Sequence, residues 1–401
     1  GGSRLGLFGD IHVSGTTAGT LQNIGVIDVD INGTGYFVGG LVGFASSATI
    51  ANSFATGAVT GEGDVGGLAG DARYGTIADS FATGSLTGTN RLGGLVGYGY
   101  DATITNSSSS VSVTGTSNDI GGLVGYGSVA SITDSSASGS VTGTNQIGGL
   151  VGIGVNIHIL NSFASGNVNG TSWSVGGLVG DGDTANISNS YATGSVTGSS
   201  SNTGGLVGDG DDATISSSFA TGSVTGYAFT GGLIGKGLYT IVSDSYATGD
   251  VTSSSFNTGG FIGYIGNGNV ANSYATGDVT STNRQVGGLI GGSRYSTVLN
   301  SSATGSVNGT YDIGGLAGYS RYNTVSNSYA TGNVTGTGRG IGGLVGYDLS
   351  ISLDGTINQS YTTSSVHCAP GGSCASIGGL LGLASTSTAI NGTNTWFNYT
   401  D

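Results

Sequence analysis

A five-residue motif, Gly-Gly-Leu-Val-Gly or a close variant, recurs thirteen times along the 401 residues. Its first glycine is Gly39, Gly66, Gly93, Gly121, Gly148, Gly176, Gly204, Gly231, Gly259, Gly287, Gly314, Gly342 or Gly378. The interval is 27 or 28 residues as far as Gly342 and 36 residues after it. So regular a period is typical of proteins in which each repeat is one structural unit stacked on the next. We expect about 13 coils of 27–28 residues.

Residues within a coil alternate between apolar and polar, as in Ala192-Thr193-Gly194-Ser195-Val196. A period of two is the strand pattern, and the 84 glycines disfavour helix. Each coil is expected to hold three short strands, around GGLVG, around ATI and through ATGSVTG. Equivalent strands of successive coils would pair in parallel about 4.8 Å apart. The predicted fold is an all-β parallel β-solenoid, or β-helix.

The two ends of the chain depart from the regular repeat. Residues 1–38 read as a degenerate coil or cap, and residues 39–341 hold eleven regular coils. Residues 342–401 read as modified C-terminal coils with two insertions, one near Ser350–Gly355, and a final piece past Trp396 and Phe397. Irregular ends would shield the open sheet edges of a stack.

Charge excludes several classes of partner. Eight Lys plus Arg oppose 22 Asp plus Glu, for a net charge of −14, and no basic run exists. We therefore expect no nucleic-acid binding, since that needs Lys and Arg to neutralise phosphates. No apolar stretch approaches the roughly 18 residues of a membrane-spanning helix, so no transmembrane segment is expected. The chain, which does not begin with Met, reads as a segment of a longer precursor.

Two cysteines, Cys368 and Cys374, flank Ala-Pro-Gly-Gly-Ser. A tight turn there would bring them within bonding distance, and a disulfide would fit an oxidising compartment. Free thiols are the alternative. A zinc site would need further ligands, and only His367 is near.

The unit GGLVGYGYDATITNSS, with NSYATGSVTG in other coils, resembles the GLUG repeat, named for Gly-Leu-aliphatic-Gly. The opening GLFGD and TLQNIGVIDVDING look like the segment before the first such repeat in that family. The resemblance covers nearly the whole chain. It implies an exported bacterial or archaeal surface protein, of a kind that includes haemagglutinin-like adhesins. It implies no catalytic activity for the repeat itself.

No catalytic motif is present in the sequence. None of His12, His158 and His367 is followed by Glu, so the HExxH zinc motif is missing. There is no Gly-x-Ser-x-Gly elbow, and the one lysine, Lys236, stands in Gly-Lys-Gly rather than in a phosphate-binding loop. We expect a protein that is not an enzyme, with no catalytic residues and no required cofactor.

Acidic residues recur at equal positions of neighbouring coils, and three interpretations stay open. Asp181 and Asp183 occupy the sixth and eighth positions of one coil, and Asp209 and Asp211 those of the next, with Asp212 beside them. Lys236 holds the sixth position of the coil that follows, so the column would be a charge ladder. The five aspartates would alternatively bind calcium through oxygen ligands. A glycosidase carboxylate pair is the third interpretation.

Further columns of equivalent residues are also candidates for surface sites. The sixteenth position is often aromatic, as at Phe163 and Tyr191, and would be a carbohydrate platform if exposed; we expect it to be buried, because rings are the main apolar area available. Asp250 and Asp278 stack at the twentieth position as a solvated pair. Threonines form two outward ranks: Thr193, Thr221, Thr248 and Thr276, and Thr197, Thr225, Thr252 and Thr280.

These features together predict an extracellular or cell-surface structural and adhesive solenoid, either an adhesin stalk or a repeating unit of a filament. Its partners would be further copies of itself in fibres, or cell-surface and glycan ligands. A solenoid that binds ice or glycans on its threonine face is the alternative, and a carbohydrate-active β-helix enzyme is the third class.

Overall fold

The computed structural model describes residues 3–12, 19–350, 355–384 and 389–391. The chain forms two compact units, Gly1–Val196 and Thr197–Asp401. Within the described residues the regular secondary structure of both units is strand, and equivalent strands of successive coils pair in parallel within each unit. The prediction of an all-β parallel solenoid is confirmed. Trp396 and Phe397 of the predicted C-terminal segment lie outside the described residues.

The first wall of each coil, sheet 1, is the strand that begins after Gly-Gly-Leu. In the N-terminal unit its strands are Phe8–His12, Val42–Ser46, Ala69–Arg73, Val96–Tyr100, Val124–Ser128, Val151–Val155 and Val179–Asp181. In the C-terminal unit they are Val207–Asp209, Ile234–Leu238, Ile262–Gly266, Ile290–Arg294, Ala317–Arg321, Val345–Asp348 and Leu381–Ala384.

The second wall, sheet 2, contains the Ala-Thr-Ile-like segment. In the N-terminal unit its strands are Gly19–Gln22, Ala48–Ala51, Thr76–Ala78, Thr103–Thr105, Ser131–Thr133, His158–Leu160 and Asn186–Ser188. In the C-terminal unit they are Thr214–Ser216, Ile241–Ser243, Asn269–Ala271, Thr297–Leu299, Thr324–Ser326, Thr356–Asn358 and Ala389–Asn391.

The third wall, sheet 3, runs from the aromatic position to the next Gly pair and is mostly divided into two or three short strands where one was expected. In the N-terminal unit they are Gly25–Asn32, Tyr36–Gly39, Phe54–Gly66, Phe81–Gly93, Ser108–Ser109, Ser112–Gly115, Asn118–Gly121, Ser136–Ala137, Val141–Gly143, Asn145–Gly148, Phe163–Ala164, Val168–Gly170, Val175–Gly176 and Tyr191–Ala192. Val196–Gly198 begins on the last residue of that unit. In the C-terminal unit they are Ser201–Gly204, Phe219–Ala220, Val224–Gly226, Ala228–Gly231, Tyr246–Ala247, Val251–Ser253, Thr258–Gly259, Tyr274–Ala275, Val279–Ser281, Arg284–Gly287, Ser302–Ala303, Val307–Gly309, Tyr311–Gly314, Tyr329–Ala330, Val334–Gly336, Ile341–Gly342, Tyr361–Thr362, Val366–Cys368 and Ile377–Gly378.

The core consists of columns in which the same residue type stands on itself. Ile104 pairs in register with Ile77 on one side and with Ile132 on the other, and all three are buried. The leucine of the Gly-Gly-Leu motif is fully buried at Leu95 and Leu123. In-register pairing therefore explains why each inward position accepts only a narrow range of side-chain sizes.

The Gly pair is required by close main-chain contacts. A Cβ on the first glycine, Gly93, would lie 1.8 Å from the carbonyl oxygen of Val96 in its own turn. A Cβ on the second, Gly94, would lie 2.1 Å from the carbonyl oxygen of Gly122 in the next coil. Neither gap admits a carbon atom, so any other residue at either position would force the backbone to move.

A buried serine forms the corner between sheets 2 and 3. The main-chain N–H of Ser53 donates to Ser80 Oγ at 3.1 Å, and Ser53 Oγ donates to the carbonyl oxygen of Ala51 at 2.8 Å. Ser80, Ser107 and Ser135 continue the same pattern. The residue before the serine has φ of 46–51°, a conformation that Asn and Asp tolerate best, at Asn52, Asp79, Asn106, Asp134, Asn161 and Asn189.

The prediction that the aromatic column is buried is wrong, because this corner turns the rings outward. The chain turns one residue before the serine, so Ser190 and Ala192 point inward and Tyr191, between them, points outward. Phe81 and Tyr274 of the same column are 40% and 39% exposed. The apolar core is made by the aliphatic columns instead.

We expect Gly93→Ala to lower the free energy of unfolding by at least 1–3 kcal/mol, about the cost of forcing extra atoms into a packed site. Gly99→Ala in the same coil is the matched control, because its Cβ would meet nothing closer than 3.5 Å and should leave stability equal or slightly higher. Denaturant unfolding of both variants makes the comparison. Equal stabilities would contradict the close packing of the Gly pair.

Candidate functional site

The predicted acidic site is occupied in part by a lysine. Lys236 Nζ lies 2.9 Å from Asp211 Oδ2 and 3.2 Å from Asp209 Oδ1. Asn202 donates from its side-chain amide to Asp209 Oδ2 at 2.8 Å, and the Leu238 main-chain N–H donates to Asp211 Oδ1 at 2.8 Å. The carboxylates of Asp209 and Asp211 are therefore held by a cation and by neutral donors together.

The pKa of Lys236 reflects this environment. Burial of the ammonium group acts to lower its pKa, but the Asp209 and Asp211 carboxylates outweigh burial, and the pKa is raised above its ordinary value. The lysine is thus positively charged at neutral pH. The contact between Asp209 and Lys236 supports the charge-ladder interpretation of the sixth-position column for these two residues, and Asp211 adds a second carboxylate.

The other three predicted ligands are Asp212, Asp181 and Asp183. Asp212 is exposed and has φ of 55° at a corner of its coil. Asp181 is half-buried and Asp183 is exposed, and both belong to the N-terminal unit. No group of three or more His, Cys, Asp or Glu side chains among the residues that the structure describes is placed to hold a metal ion. Calcium binding stays a prediction.

The outward aromatic column is a stack of parallel rings. Ring centroids of Phe219 and Tyr246 lie 4.7 Å apart with planes 3° from parallel, and Tyr246 and Tyr274 lie 5.1 Å apart at 5°. Within such a run each ring covers the face of its neighbour, so the edges of the rings point to solvent. A sugar stacks on the face of an aromatic ring, and the interior of the column offers few free faces.

The predicted threonine ranks face outward on sheet 3. Thr248, Thr252, Thr276 and Thr280 are all exposed, and Thr252 pairs in register with Thr280. Asp250 and Asp278 lie between these ranks. Asp250 Oδ1 accepts the main-chain N–H of Asp278 at 2.9 Å, and Asp278 Oδ1 accepts that of Ser306 at 2.8 Å. Each exposed carboxylate thus accepts a hydrogen bond from a main-chain N–H at a point where the strand is interrupted.

The two cysteines form a disulfide. Cys368 and Cys374 are bonded, with their Cα atoms 5.9 Å apart, across the turn that contains Gly371. Cys374 Sγ also lies 3.4 Å from the carbonyl oxygen of Gly336. The predicted disulfide is confirmed, and it closes the insertion between the sheet 3 strands Val366–Cys368 and Ile377–Gly378.

Sequence reasoning missed a buried charge cluster in the N-terminal unit. The side chain of Asp71 is fully buried and accepts hydrogen bonds from the Arg73 guanidinium, the closer at 2.6 Å. Arg91 binds Asp64 at 3.0 Å and lies 5.4 Å from the centre of the Tyr98 ring. A signal was present, since Asp71 occupies the sixth position, the same position as Asp209 and Lys236.

Burial sets the pKa of the buried acid. Burial raises the pKa of Asp71 to about 6, although hydrogen bonding and the charge of Arg73 act to lower it. Burial also raises the pKa of Asp64, against the opposing effect of Arg91. These carboxyls are therefore costly to ionise in the folded state.

A comparison with protein families matches the GLUG motif seven times, at residues 34–60, 88–114, 116–142, 171–197, 254–280, 282–308 and 309–335. This chain is a GLUG-repeat protein. Each matched segment contains a Gly-Gly motif and the buried columns described above, so the GLUG motif describes one coil. Comparisons with curated proteins and with solved structures gave no match. The described residues include no helix with the length and apolar character needed to cross a membrane.

We expect Lys236→Met to lower the free energy of unfolding by about 1 kcal/mol, because two partly buried carboxylates lose their cation. Lys236→Arg, which keeps the charge, should lose less. A chelator such as EDTA should leave the thermal midpoint of the unaltered chain unchanged. A midpoint that falls with EDTA, recovers with calcium and is insensitive to Lys236→Met would favour the calcium interpretation.

Asp71 should make the N-terminal unit less stable as pH rises from about 4 to about 6. Its folded pKa of about 6 exceeds the ordinary aspartate value of 3.8, so the folded state holds the proton more tightly. Stability is therefore highest below the unfolded pKa and declines until the folded pKa is passed, by at most about 3 kcal/mol. Unfolding measured across this pH range should show a smaller decline in Asp71→Asn. An unchanged slope would contradict the raised pKa.

Proposed function

We propose that this chain is a non-catalytic structural protein that acts outside the cell as an adhesive support. The observation that carries the proposal is the in-register stacking of like residues on both sides of the wall, as with Ile104 on Ile77 inside and Thr252 on Thr280 outside. A surface built in this way repeats one chemical pattern every coil, about 4.8 Å apart. Repetition of that kind favours many weak lateral contacts over one deep site.

Three features support an extracellular location. The Cys368–Cys374 disulfide is a bond that persists in oxidising compartments. Acidic side chains outnumber basic ones by 22 to 8, a balance that favours solubility and weakens non-specific binding to nucleic acid. The third feature is the resemblance of the repeats to the GLUG repeats of exported surface proteins.

A role without catalysis is part of the same proposal. The carboxylates of Asp209 and Asp211, the strongest candidates for a glycosidase pair, both bind Lys236. A general acid and a nucleophile need one protonated and one free carboxyl at the reacting bond. Both carboxylates are instead engaged by the same lysine, which opposes that division of roles.

Beads coated with the purified chain test adhesion by the threonine face. Such beads should clump with one another or bind a mucin-coated surface, whereas albumin-coated beads should not. Thr248→Lys with Thr276→Lys should reduce this binding several-fold by placing charge on the flat face. Thr214→Lys with Asn269→Lys adds equal charge to exposed positions of sheet 2 and is the control. Beads that neither clump nor bind, or equal losses in both variants, would contradict the proposal.

Ice binding is the second candidate, because exposed threonines in register present regularly spaced hydroxyl and methyl groups. The rank between them is irregular, since Ser223 is followed by Asp250 and Asp278 and then by Ser306. Charged carboxylates within the rank oppose an ordered ice-like layer. Measured thermal hysteresis that is abolished by Thr248→Lys with Thr276→Lys would favour ice binding over adhesion.

A further inference from the structure

Most of the few basic residues of this acidic chain are engaged by other side chains of the chain itself. Six of the eight pair with an aspartate or lie over an aromatic ring: Arg4, Arg73, Arg91, Lys236, Arg294 and Arg321. Within the described residues, Arg284 and Arg339 are in neither kind of contact. Both are exposed, and both belong to the C-terminal unit.

These two arginines line the same cleft. It has a volume of about 600 Å³ and is also lined by Phe256, Asn283, Tyr311 and Asp312. Small-molecule sites span roughly 300–1,000 Å³, so the cleft has the size of a ligand site. Arg284 pairs in register with Tyr311, and the main-chain N–H of Asp312 donates to the Arg339 carbonyl oxygen at 3.0 Å. The arginines therefore stand in the coils on either side of Tyr311.

Tyr311 supplies an exposed ring in this cleft. Its side chain is 46% exposed. A Cβ on Gly338 would lie 2.3 Å from ring atoms of Tyr311, so the ring rests on the bare backbone of that glycine. Unlike the rings of the sixteenth position, this ring is followed in its column by the side chain of Arg339 and preceded by that of Arg284.

The carboxyl group of Asp312 adds a buried hydrogen-bond acceptor that no donor contacts. The residue is 8% exposed, and its Oδ1 has no hydrogen-bond partner in the structure. Burial raises its pKa, while the charges of Arg339 and Arg284 act to lower it. A buried acceptor left without a donor is costly, so a ligand hydroxyl that donated to Oδ1 would be favoured.

We propose that this cleft binds an acidic sugar, a uronic acid residue of a polysaccharide. Arg284 and Arg339 would bind its carboxylate, because the planar guanidinium matches a carboxylate with two parallel hydrogen bonds. The Tyr311 ring would pack on the apolar C–H groups of the sugar ring, and Asp312 and Asn283 would bind its hydroxyls. The net charge of −14 does not oppose this, because charges beyond about 8 Å are screened at physiological salt.

This inference names a ligand for the adhesive role proposed above, yet it is tested on the purified chain and can fail while that role stands. Calorimetric titration with the trimer of galacturonic acid should give saturable binding. The methyl-esterified trimer, which keeps every ring but loses its charges, should bind at least about tenfold more weakly. Inorganic sulfate should also bind more weakly, because it lacks the ring and hydroxyls.

Single substitutions test the contribution of each arginine and of the Tyr311 ring to binding. Arg284→Gln and Arg339→Gln should each weaken binding of the trimer roughly tenfold or more, with an unchanged unfolding midpoint. Arg294→Gln, in the same unit but against Tyr295, should bind as the unaltered chain does. Tyr311→Ala should weaken binding of the trimer but not of sulfate. Absent binding, equal affinity for the ester, equal affinity for sulfate, or indifference to both arginine variants would overturn the proposal.

Discussion

Parallel main-chain hydrogen bonding between equivalent residues of successive coils is the constraint on which the rest of the structure depends. Once Ile104 is paired with Ile77 and Ile132, the other strand residues of that coil are also set in register with their counterparts. Self-stacking suits isoleucine, leucine and serine, which pack or hydrogen-bond with their own kind. It also explains the Gly pair, because Gly94 approaches the backbone of the next coil too closely for any side chain. A single coil buries too little apolar area to fold alone, so the ladder also supplies its stability.

The same constraint makes charge difficult to place, since like charges would be stacked about 4.8 Å apart. The structure uses three arrangements to avoid this. Lys236 follows Asp209 at the sixth position and neutralises it. Asp250 and Asp278 each accept a main-chain N–H from the next coil. Asp71 is buried against Arg73 and holds its proton to a higher pH than usual. The low content of charged residues is a consequence of the fold.

Much of this could be predicted from the sequence because the fold has a short period. Alternation of Ala192, Thr193 and Gly194 gave the inward and outward faces, and the interval between Gly pairs gave the register. The failure at Tyr191 has a local cause. A corner residue with positive φ shifts which positions face inward, and that conformation at Asn189 is not encoded in the alternation of polar and apolar residues. The buried cluster at Asp71 was missed although Asp71 shares the sixth position with Asp209, because the residue type at that position varies from coil to coil.

Binding sites in such a fold are best sought where a column stops being uniform. In a uniform column, as at Phe219, Tyr246 and Tyr274, each ring covers its neighbour and only edges remain for a ligand. In the column that contains Tyr311, the ring alternates with Arg284 and Arg339, and a cleft opens beside them. Arg284 does not stand on a second arginine, because its partner in the next coil is Tyr311. The regular array therefore provides rigidity, and the variation between coils provides the chemistry for recognition.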